Sequence, residues 1–258
     1  MIHSLLFDLA GTTVDCGCMA PVGVFLEVFR RHGITLDVAT ARGPMGTHKR
    51  EHIRLVMLAV ADQWEREKGR APTSADIDAL YAEAEPLQIE VIPRHVEPIP
   101  GFVEGLPALR AKGYRIGATT GYTAPMVAAL APLISARGWT PDVLFSASDV
   151  PAGRPAPYMN WRAAMALGAP AARACVVFGD TEVDMQAARN AGMWAVGVAL
   201  TGNEVGLSWE DLQRLSVEER TFYREKASSR LVAAGAQVVV DSVQELETAL
   251  RRVESLAG

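Results

Sequence analysis

Polar residues stand where three apolar runs of this chain end. Asp8 follows "LLF", Thr120 follows "IGAT", and Asp180 follows "VVFG", with Asp184 one helical turn later. Parallel neighbouring strands would bring these residues to one edge of a sheet. Two close carboxylates repel each other unless a cation lies between them, and hard oxygen ligands favour Mg²⁺. Backbone N–H groups of the Gly11 turn, the threonine hydroxyl and a basic side chain would then bind a phosphoryl group.

Six apolar runs bounded by turn residues supply the elements that must position this chemistry. They are "HSLLFDL" at 3–9, "YRIGATT" at 114–120, "DVLFS" at 142–146, "ACVVFGD" at 174–180, "WAVGVAL" at 194–200 and "AQVVVDS" at 236–242. Such near-continuous runs are typical of strands covered on both faces. Helical patterns closed by glycine lie between them. The sequence therefore predicts an α/β fold with a doubly wound, Rossmann-like parallel sheet.

A helical insertion interrupts this alternation soon after the first strand. Residues 17–98 hold helical patterns at 21–33, 38–43, 46–68 and 74–91 and no convincing strand. The two prolines of "EPIPG" suit a stiff return crossing. We therefore expect a core domain made of residues 1–16 and 99–258, and a second, helical domain over residues 17–98.

Composition narrows the class of protein and its partners. The 258 residues carry a net charge of −5, which gives no reason to expect nucleic acid or an anionic membrane surface as a partner. Three cysteines without CxxC spacing indicate neither a disulfide framework nor a zinc site, and favour a reducing cytoplasm. The first apolar run is too short for a signal peptide. No dinucleotide or P-loop glycine motif is present, which disfavours nucleotide binding.

Four short motifs, in order, resemble those of the haloacid dehalogenase-type superfamily, whose members mostly transfer phosphoryl groups through an aspartate. They are "FDLAGTT", "ATTGYT", the isolated basic residue in "PAGRPAP", and "VVFGDTEVD". Most phosphatases of that family carry a second aspartate two residues after the nucleophile, as general acid and base. This chain has Ala10 there, so its leaving group should be one that needs no proton from an acid at that position.

The insertion contains an amine that could stabilise such a leaving group. In "GPMGTHKREHIR", Lys49 follows a Pro-Met-Gly turn, and a lysine amine forms an iminium with an aldehyde, which accepts electrons when a neighbouring bond breaks. With "AGTTVDCGCMAPV" and "TTGYT", this stretch resembles the phosphonatase branch of the superfamily. The resemblance implies hydrolysis of the carbon–phosphorus bond of phosphonoacetaldehyde to acetaldehyde and phosphate, through a lysine Schiff base and an aspartyl-phosphate, beneath a helical cap.

The resemblance also implies individual roles. Asp8 is expected to be the nucleophile and Lys49 the Schiff-base lysine. The expected metal site, for Mg²⁺ as the only cofactor, consists of Asp8, the Ala10 carbonyl, Asp180 and the supporting Asp184. Gly11, Thr120, Gly121 and Arg154 are expected to bind the phosphonyl group, and Cys18, Met45, His52 and Tyr122 to surround the amine. We further expect burial, Arg54 or the metal to lower the Lys49 pKa, and His52 to relay protons through water.

Simpler interpretations of the same residues remain. A lysine beside Arg50 and Glu51 on a helix is usually an exposed charge, and Met45 could be core packing. The runner-up functions are a Mg²⁺-dependent phosphatase or phosphomutase acting on a small phosphate ester, and a non-catalytic protein that binds a phosphate ligand. The resemblance implies a homodimer built through the cap, where apolar residues recur at helical spacing, although this stripe could equally be cap core. The stripe consists of Val22, Phe25, Leu26 and Phe29.

Overall fold

The structure is a computed structural model that describes residues 1–257. A six-stranded parallel sheet lies at its centre. Its strands are β1 (Ser4–Phe7), β2 (Arg115–Thr120), β3 (Val143–Ser146), β4 (Cys175–Gly179), β5 (Trp194–Val198) and β6 (Val238–Val240). Their spatial order is β3-β2-β1-β4-β5-β6, and every neighbouring pair is parallel. All six strands lie within the predicted runs, and the doubly wound α/β fold is confirmed.

The position of β1 decides where the first aspartate lies. β1 is bonded to β2 on one side and to β4 on the other, so that Phe7 pairs with both Ala118 and Phe178. The rings of Phe7 and Phe178 are stacked with centroids 4.8 Å apart, which helps to hold the strands in register. From β1 the chain first adds β2 and β3 on one side and then crosses to add β4, β5 and β6 on the other. The carboxyl end of β1 is therefore the topological switch point, where α/β sheets bind ligands.

The helical cap follows β1 and contains five helices. They are α1 (Met19–Arg31), α2 (Val38–Arg42), α3 (Lys49–Ala59), α4 (Ala61–Lys68) and α5 (Ser74–Val91). The prediction of one helix over 46–68 is wrong at both its start and its middle. Gly46 has a φ of +85°, which belongs to the preceding turn, and Val60 separates α3 from α4 with φ −112° and ψ 18°.

The apolar stripe of α1 lies mostly inside the cap. Val22, Phe25 and Phe29 are buried, and Leu26 is half-buried against the same core. The stripe is therefore cap core, the second of its two interpretations, and it leaves no exposed apolar surface of its own for a partner.

Two chain crossings join the cap to the sheet domain, and Asp15 ties them together. Its carboxylate accepts the N–H groups of Met19 at 3.1 Å and Ala20 at 3.0 Å, the first turn of α1. The same carboxylate lies 3.2 Å from Nδ1 of His95 on the return crossing, and this contact raises the His95 pKa. The hinge between cap and core is thus a pair of chain crossings bonded to each other rather than two free linkers.

The remaining helices cover the sheet. They are α6 (Phe102–Ala111), α7 (Ala124–Ser135), α8 (Tyr158–Ala166), α9 (Glu182–Asn190), α10 (Trp209–Arg214), α11 (Val217–Ala233) and α12 (Leu246–Ala257). Single 3₁₀ turns occur at Ile92–Arg94, Ala147–Asp149, Ala172–Ala174 and Val243–Glu245. Among the described residues, no helix is both long and apolar enough to cross a membrane.

Candidate functional site

Three buried carboxylates meet at the carboxyl edge of the sheet. Asp8 follows β1, Asp180 follows β4, and Asp184 lies in the first turn of α9; each offers an oxygen within 4.8 Å of the others. Burial, opposed by Arg154 but reinforced by Asp184, raises the Asp8 pKa to about 6. Burial and the two other carboxylates raise the Asp180 pKa well above its ordinary value. Repulsion among the three negative charges therefore destabilises the cluster when all three carboxylates are ionised.

The donor set of this cluster fits a divalent cation. Three ionised carboxylates carry three negative charges, and the single guanidinium among them, that of Arg154, leaves two uncompensated. Carboxylate oxygens are hard ligands, which Mg²⁺ and similar ions prefer. Ala10 follows two residues after Asp8 and lines the adjoining pocket, so its backbone lies on the same side of the sheet. The residues present could therefore bind a metal ion.

Asp180 is fixed by bonds that the sequence analysis did not predict. Its Oδ1 accepts the Thr12 hydroxyl at 2.8 Å and its Oδ2 accepts the Asn203 N–H at 2.8 Å. A Cβ on Gly11 would lie 2.1 Å from Oδ2, so glycine is required for this close approach, and its φ of +89° requires glycine as well. Gly11 thus makes room for Asp180. Thr12 lies within the first motif, whereas nothing in the sequence marks Asn203.

Arg154 connects the nucleophile candidate with the rest of the cluster. Its Nη1 lies 2.6 Å from Oδ1 of Asp8 and 2.7 Å from Oδ1 of Asp184. Its Nη2 donates to both the carbonyl and the hydroxyl of Thr119, each at 2.8 Å. The side chain is only 2% exposed, so these charge-assisted bonds are shielded from water. Thr181, another residue not predicted, donates its hydroxyl to Asp184 at 2.5 Å.

Lys49 projects from the first turn of α3 into a pocket that it shares with Asp8. The pocket has a volume of about 20 Å³ and is lined by Asp8, Ala10, Cys18, Met45, Gly46, Lys49, Thr120, Gly121, Tyr122 and Thr181. The Lys49 side chain belongs to a residue only 3% exposed, and its Nζ lies 5.0 Å from the centre of the Tyr122 ring. The structure thus brings a cap amine and a core carboxylate into one enclosed space.

Burial sets the ionisation of the groups around this amine. It lowers the Lys49 pKa to about 8, helped by Arg154 and opposed by Cys18 and Asp8. Arg54, which we expected to contribute, pairs instead with Glu51 at 2.7 Å. Burial raises the pKa values of the Cys18 thiol and the Tyr122 phenol well above their ordinary values, so both stay protonated. The pocket therefore makes the neutral amine more accessible near neutral pH than it is in a solvent-exposed lysine, although the charged form still predominates at pH 7.

His52 lies one turn along α3 from Lys49 but is not among the residues that line the pocket. Its ring stacks on Phe25 with centroids 3.9 Å apart, and Nε2 donates to the Ala41 carbonyl at 2.9 Å. Nδ1 is buried and has no hydrogen-bond partner. Burial lowers the His52 pKa well below its ordinary value, so the ring is neutral and packs behind the amine.

Two glycines allow the cap turn to approach the core. A Cβ on Gly121 would lie 2.6 Å from the Gly46 carbonyl oxygen and 2.7 Å from that of Thr47. A Cβ on Gly46 would lie 2.5 Å from the Thr181 hydroxyl oxygen. Thr120, beside Gly121, accepts the N–H of Tyr122 at 3.2 Å and lines the pocket. Gly121 therefore has a packing role, while its expected role in binding the phosphonyl group stays a prediction. Gly46 is a further residue that the sequence analysis did not single out.

Comparisons with known proteins agree with this architecture. A family model of haloacid dehalogenase-like hydrolases matches residues 2–192. The chain is 44% identical over 256 residues to a phosphonoacetaldehyde hydrolase of Nitratidesulfovibrio vulgaris, covering 98% of this chain and 91% of that protein. It is 41% identical over 255 residues to one of Bacillus cereus, covering 98% and 97%.

A solved structure gives the same assignment. The crystal structure of a phosphonoacetaldehyde hydrolase-like protein from Oleispira antarctica superposes with a TM-score of 0.96 at 40% identity, covering 98% of this chain and 93% of that one. The agreement extends over both the sheet domain and the cap. This chain belongs to the haloacid dehalogenase-like hydrolases and, within them, to the phosphonoacetaldehyde hydrolase family.

Proposed function

We propose that this enzyme hydrolyses the carbon–phosphorus bond of phosphonoacetaldehyde to acetaldehyde and phosphate. The observation that carries the proposal is the placement of Lys49, a buried amine with a lowered pKa, in the pocket that contains Asp8 and Ala10. An ordinary phosphatase has no use for a neutral amine there. A C–P hydrolase needs one, because a carbanion is a poor leaving group without an electron sink.

Lys49 supplies the electron sink. Its neutral amine adds to the aldehyde carbon, and loss of water gives an iminium. When the C–P bond breaks, its electron pair moves into the iminium and forms an enamine, which needs no proton from a general acid at position 10. The enamine is then protonated on carbon, and hydrolysis of the resulting imine releases acetaldehyde and regenerates the amine.

Asp8 accepts the phosphoryl group. Its carboxylate attacks phosphorus as the C–P bond breaks, and water then hydrolyses the aspartyl-phosphate. Arg154, which contacts Asp8 at 2.6 Å, is placed to exchange this contact for one with a phosphonyl oxygen, which would free the carboxylate to attack. Gly121 and Thr120 line the pocket, and we propose the Gly121 N–H and the Thr120 hydroxyl as further donors to that group.

Mg²⁺ is the metal we propose for the acidic cluster, held by Asp8, Asp180 and the Ala10 carbonyl and supported by Asp184. When bound, it neutralises the negative charge that the carboxylates and a phosphonate dianion would otherwise share. The roles of the protein are to fix Asp180 through Thr12 and Asn203, and to hold Asp184 through Thr181.

The cap has to move during turnover. A cavity of about 20 Å³ holds no more than one water molecule, so the arrangement seen here is closed and cannot admit substrate. We propose that residues 17–98 move as one domain against residues 1–16 and 99–258. Opening would carry Lys49 away from Asp8, and closure would exclude water from the iminium.

Phosphate release distinguishes this proposal from its alternatives. Wild-type enzyme with Mg²⁺ should release phosphate from phosphonoacetaldehyde far faster than from a panel of small phosphate esters. Borohydride added with the aldehyde should inactivate it and leave a reduced adduct on Lys49. Lys49→Arg should neither release phosphate from phosphonoacetaldehyde nor form the reduced adduct, because a guanidinium keeps the charge but forms no iminium. A Lys49→Arg enzyme that still cleaves phosphonoacetaldehyde would return the ordinary phosphatase interpretation, and a wild type that binds phosphate without turnover would indicate a non-catalytic protein.

We also propose that the enzyme is a cytoplasmic homodimer joined through the caps. All three thiols are free, as expected in a reducing compartment. With the α1 stripe used as cap core, the surface we propose for a second copy is a groove of about 260 Å³ between α1 and α5. The groove is lined by the apolar or small residues Met19, Ala20, Gly23, Val24, Leu87 and Val91, and by Glu27, Glu90 and His95.

A further inference from the structure

Arg42, at the end of α2 in the cap, reaches across the boundary into the core. Its Nη1 donates to the Gly17 carbonyl at 2.6 Å and to Oδ1 of Asn203 at 3.2 Å. Its Nη2 donates to the Gly206 carbonyl at 3.1 Å. One guanidinium thus joins a cap helix, the first hinge crossing and the core loop that follows β5.

The core loop is shaped to receive this guanidinium. Gly206 has a φ of +69°, and a Cβ there would lie 2.6 Å from Cζ of Arg42. The hinge residue Gly17 donates its N–H to the Thr201 carbonyl at 2.7 Å, and its own Cβ would lie 2.3 Å from the Leu207 carbonyl oxygen. The loop from 201 to 207 therefore packs directly against the hinge.

The same loop touches the acidic cluster. Asn203, whose side chain accepts from Arg42, donates its backbone N–H to Oδ2 of Asp180 at 2.8 Å. Its side-chain amide also contacts the Arg42 carbonyl at 3.5 Å. Asn203 is therefore bonded to the cap on one side and to the acidic cluster on the other.

We infer that Arg42 is a positioning residue that holds the cap closed. Arg42 forms a cap–core clamp with Gly17, Asn203 and Gly206. This clamp couples cap closure to the position of Asp180. Opening the cap must break the bonds to Asn203 and Gly206, and with them the support of the loop that holds Asp180. The guanidinium of this clamp does not touch the pocket, so it acts through Lys49 and Asp180 and not on the substrate.

The strength of the clamp sets the expected effect. Hydrogen bonds from a charged donor are stronger than neutral ones, so losing two of them across a domain boundary should shift the closed-to-open equilibrium by about 10- to 100-fold. This inference concerns the closed state itself, and only its activity readout rests on the proposed function. The primary test therefore uses no substrate.

Acetylation of Lys49 by acetic anhydride reports cap opening, because the amine is enclosed when the cap is closed. Peptide mass spectrometry would measure its rate relative to that of exposed Lys68 in the same chain. Arg42→Ala should raise the relative rate about 10-fold or more, and Arg42→Lys should give a smaller rise. Arg66→Ala, which removes an exposed cap arginine, should leave it unchanged.

A second pair of variants tests the clamp from the core side. Gly206→Ala should displace the guanidinium and raise Lys49 acetylation as Arg42→Ala does. Gly69→Ala imposes the same backbone strain, since Gly69 has a φ of +68°, but a Cβ there meets nothing within 4 Å. It should leave Lys49 protected. With substrate, the clamp variants should raise KM for phosphonoacetaldehyde more than they lower kcat, because fewer molecules are in the closed form.

The outcomes separate the clamp from a merely structural arginine. If Arg42→Ala lowers the melting temperature while Lys49 in the folded enzyme stays as protected as in the wild type, the inference is overturned. Equal acetylation in Gly206→Ala and Gly69→Ala would also overturn it. If the clamp variants raise Lys49 acetylation but the wild-type enzyme does not cleave phosphonoacetaldehyde, the inference about the clamp is retained and only the proposed function is rejected.

Discussion

Lys49 is a residue whose burial is unfavourable for the fold and useful for the chemistry. Its pKa falls from 10.5 to about 8, chiefly because burial disfavours the ammonium form. Such a shift corresponds to about 3 kcal/mol of lost stability at pH 7, where the amine is charged in both the folded and the unfolded chain. A neutral apolar side chain of similar length would not suffer this loss.

Lys49→Met should therefore stabilise the protein while abolishing Schiff-base formation. The folded wild type binds fewer protons than the unfolded chain between pH 8 and 10.5, so its stability rises with pH in that window, whereas the Lys49→Met variant has no such dependence at this site. Urea unfolding should show the variant more stable by about 3 kcal/mol at pH 7 and by about 2 kcal/mol at pH 9.

Lys68→Met is the matched control, because Lys68 is an exposed cap lysine whose neutralisation should change stability little at either pH. A Lys49→Met protein that is less stable than the wild type at pH 7 would show that the amine contributes favourable interactions that outweigh its burial.

Among the elements, the strands and the main motif residues were predictable because their signals are local. Each strand is a continuous apolar run, and Asp8, Thr120 and Asp180 stand at run ends, so topology alone brings them together. Thr119 and Asn203 were not found, because what they contribute is a carbonyl, a hydroxyl or a backbone N–H aimed by tertiary packing. Periodicity does not encode such contacts.

The helix error over 46–68 has the same origin. The pattern of apolar residues continues through the turn that carries Gly46 and through the break at Val60, because both sides face one cap core. Hydrophobic periodicity reports which face is buried and not whether the helix is continuous. The start of α3 at Lys49 matters for the proposed function, since it places the amine in the first helical turn, directly after the turn that lines the pocket.

Gly121→Ala tests the contact between this cap turn and the loop after β2. The new Cβ would meet backbone oxygens of Gly46 and Thr47 at 2.6 and 2.7 Å, and backbone cannot move aside as a side chain can. The cap turn would be displaced, and a shift of the Lys49 amine by about 1 Å should lower kcat/KM about 100-fold.

The matched control is Gly105→Ala in α6, where a Cβ meets nothing within 4 Å. It should keep full activity and gain about 0.5–1 kcal/mol of stability, because alanine is the better helix former. Phosphate release from phosphonoacetaldehyde and thermal unfolding would be measured on both variants. Wild-type kcat/KM in Gly121→Ala would mean that the cap turn does not set the position of the amine.

At the scale of the whole molecule, function depends on two bodies that share one pocket. The core provides the carboxylates and Arg154, the cap provides Lys49, and neither set alone can carry out the proposed reaction. Asp15 is bonded both to α1 and to His95, so the two crossings between cap and core are tied together at one end of the cap. A dimer joined through the caps would fix one cap against the other and leave each core as the moving part.

Gly23→Arg tests that dimer at the groove between α1 and α5. Gly23 is exposed, and a Cβ there meets nothing within 4 Å, so the monomer should accept the arginine and its helix should become slightly more stable. In a dimer the same long side chain would occupy the groove beside Val24 and Leu87, where a second copy packs, and would hold the two copies apart. Sedimentation velocity at micromolar concentration should therefore show a dimer for the wild type and a monomer for Gly23→Arg. Gly69→Arg, at another open glycine of the cap but outside the groove, should remain dimeric. A wild type that sediments only as a monomer, or a Gly23→Arg variant that stays dimeric, would exclude this groove as the dimer interface.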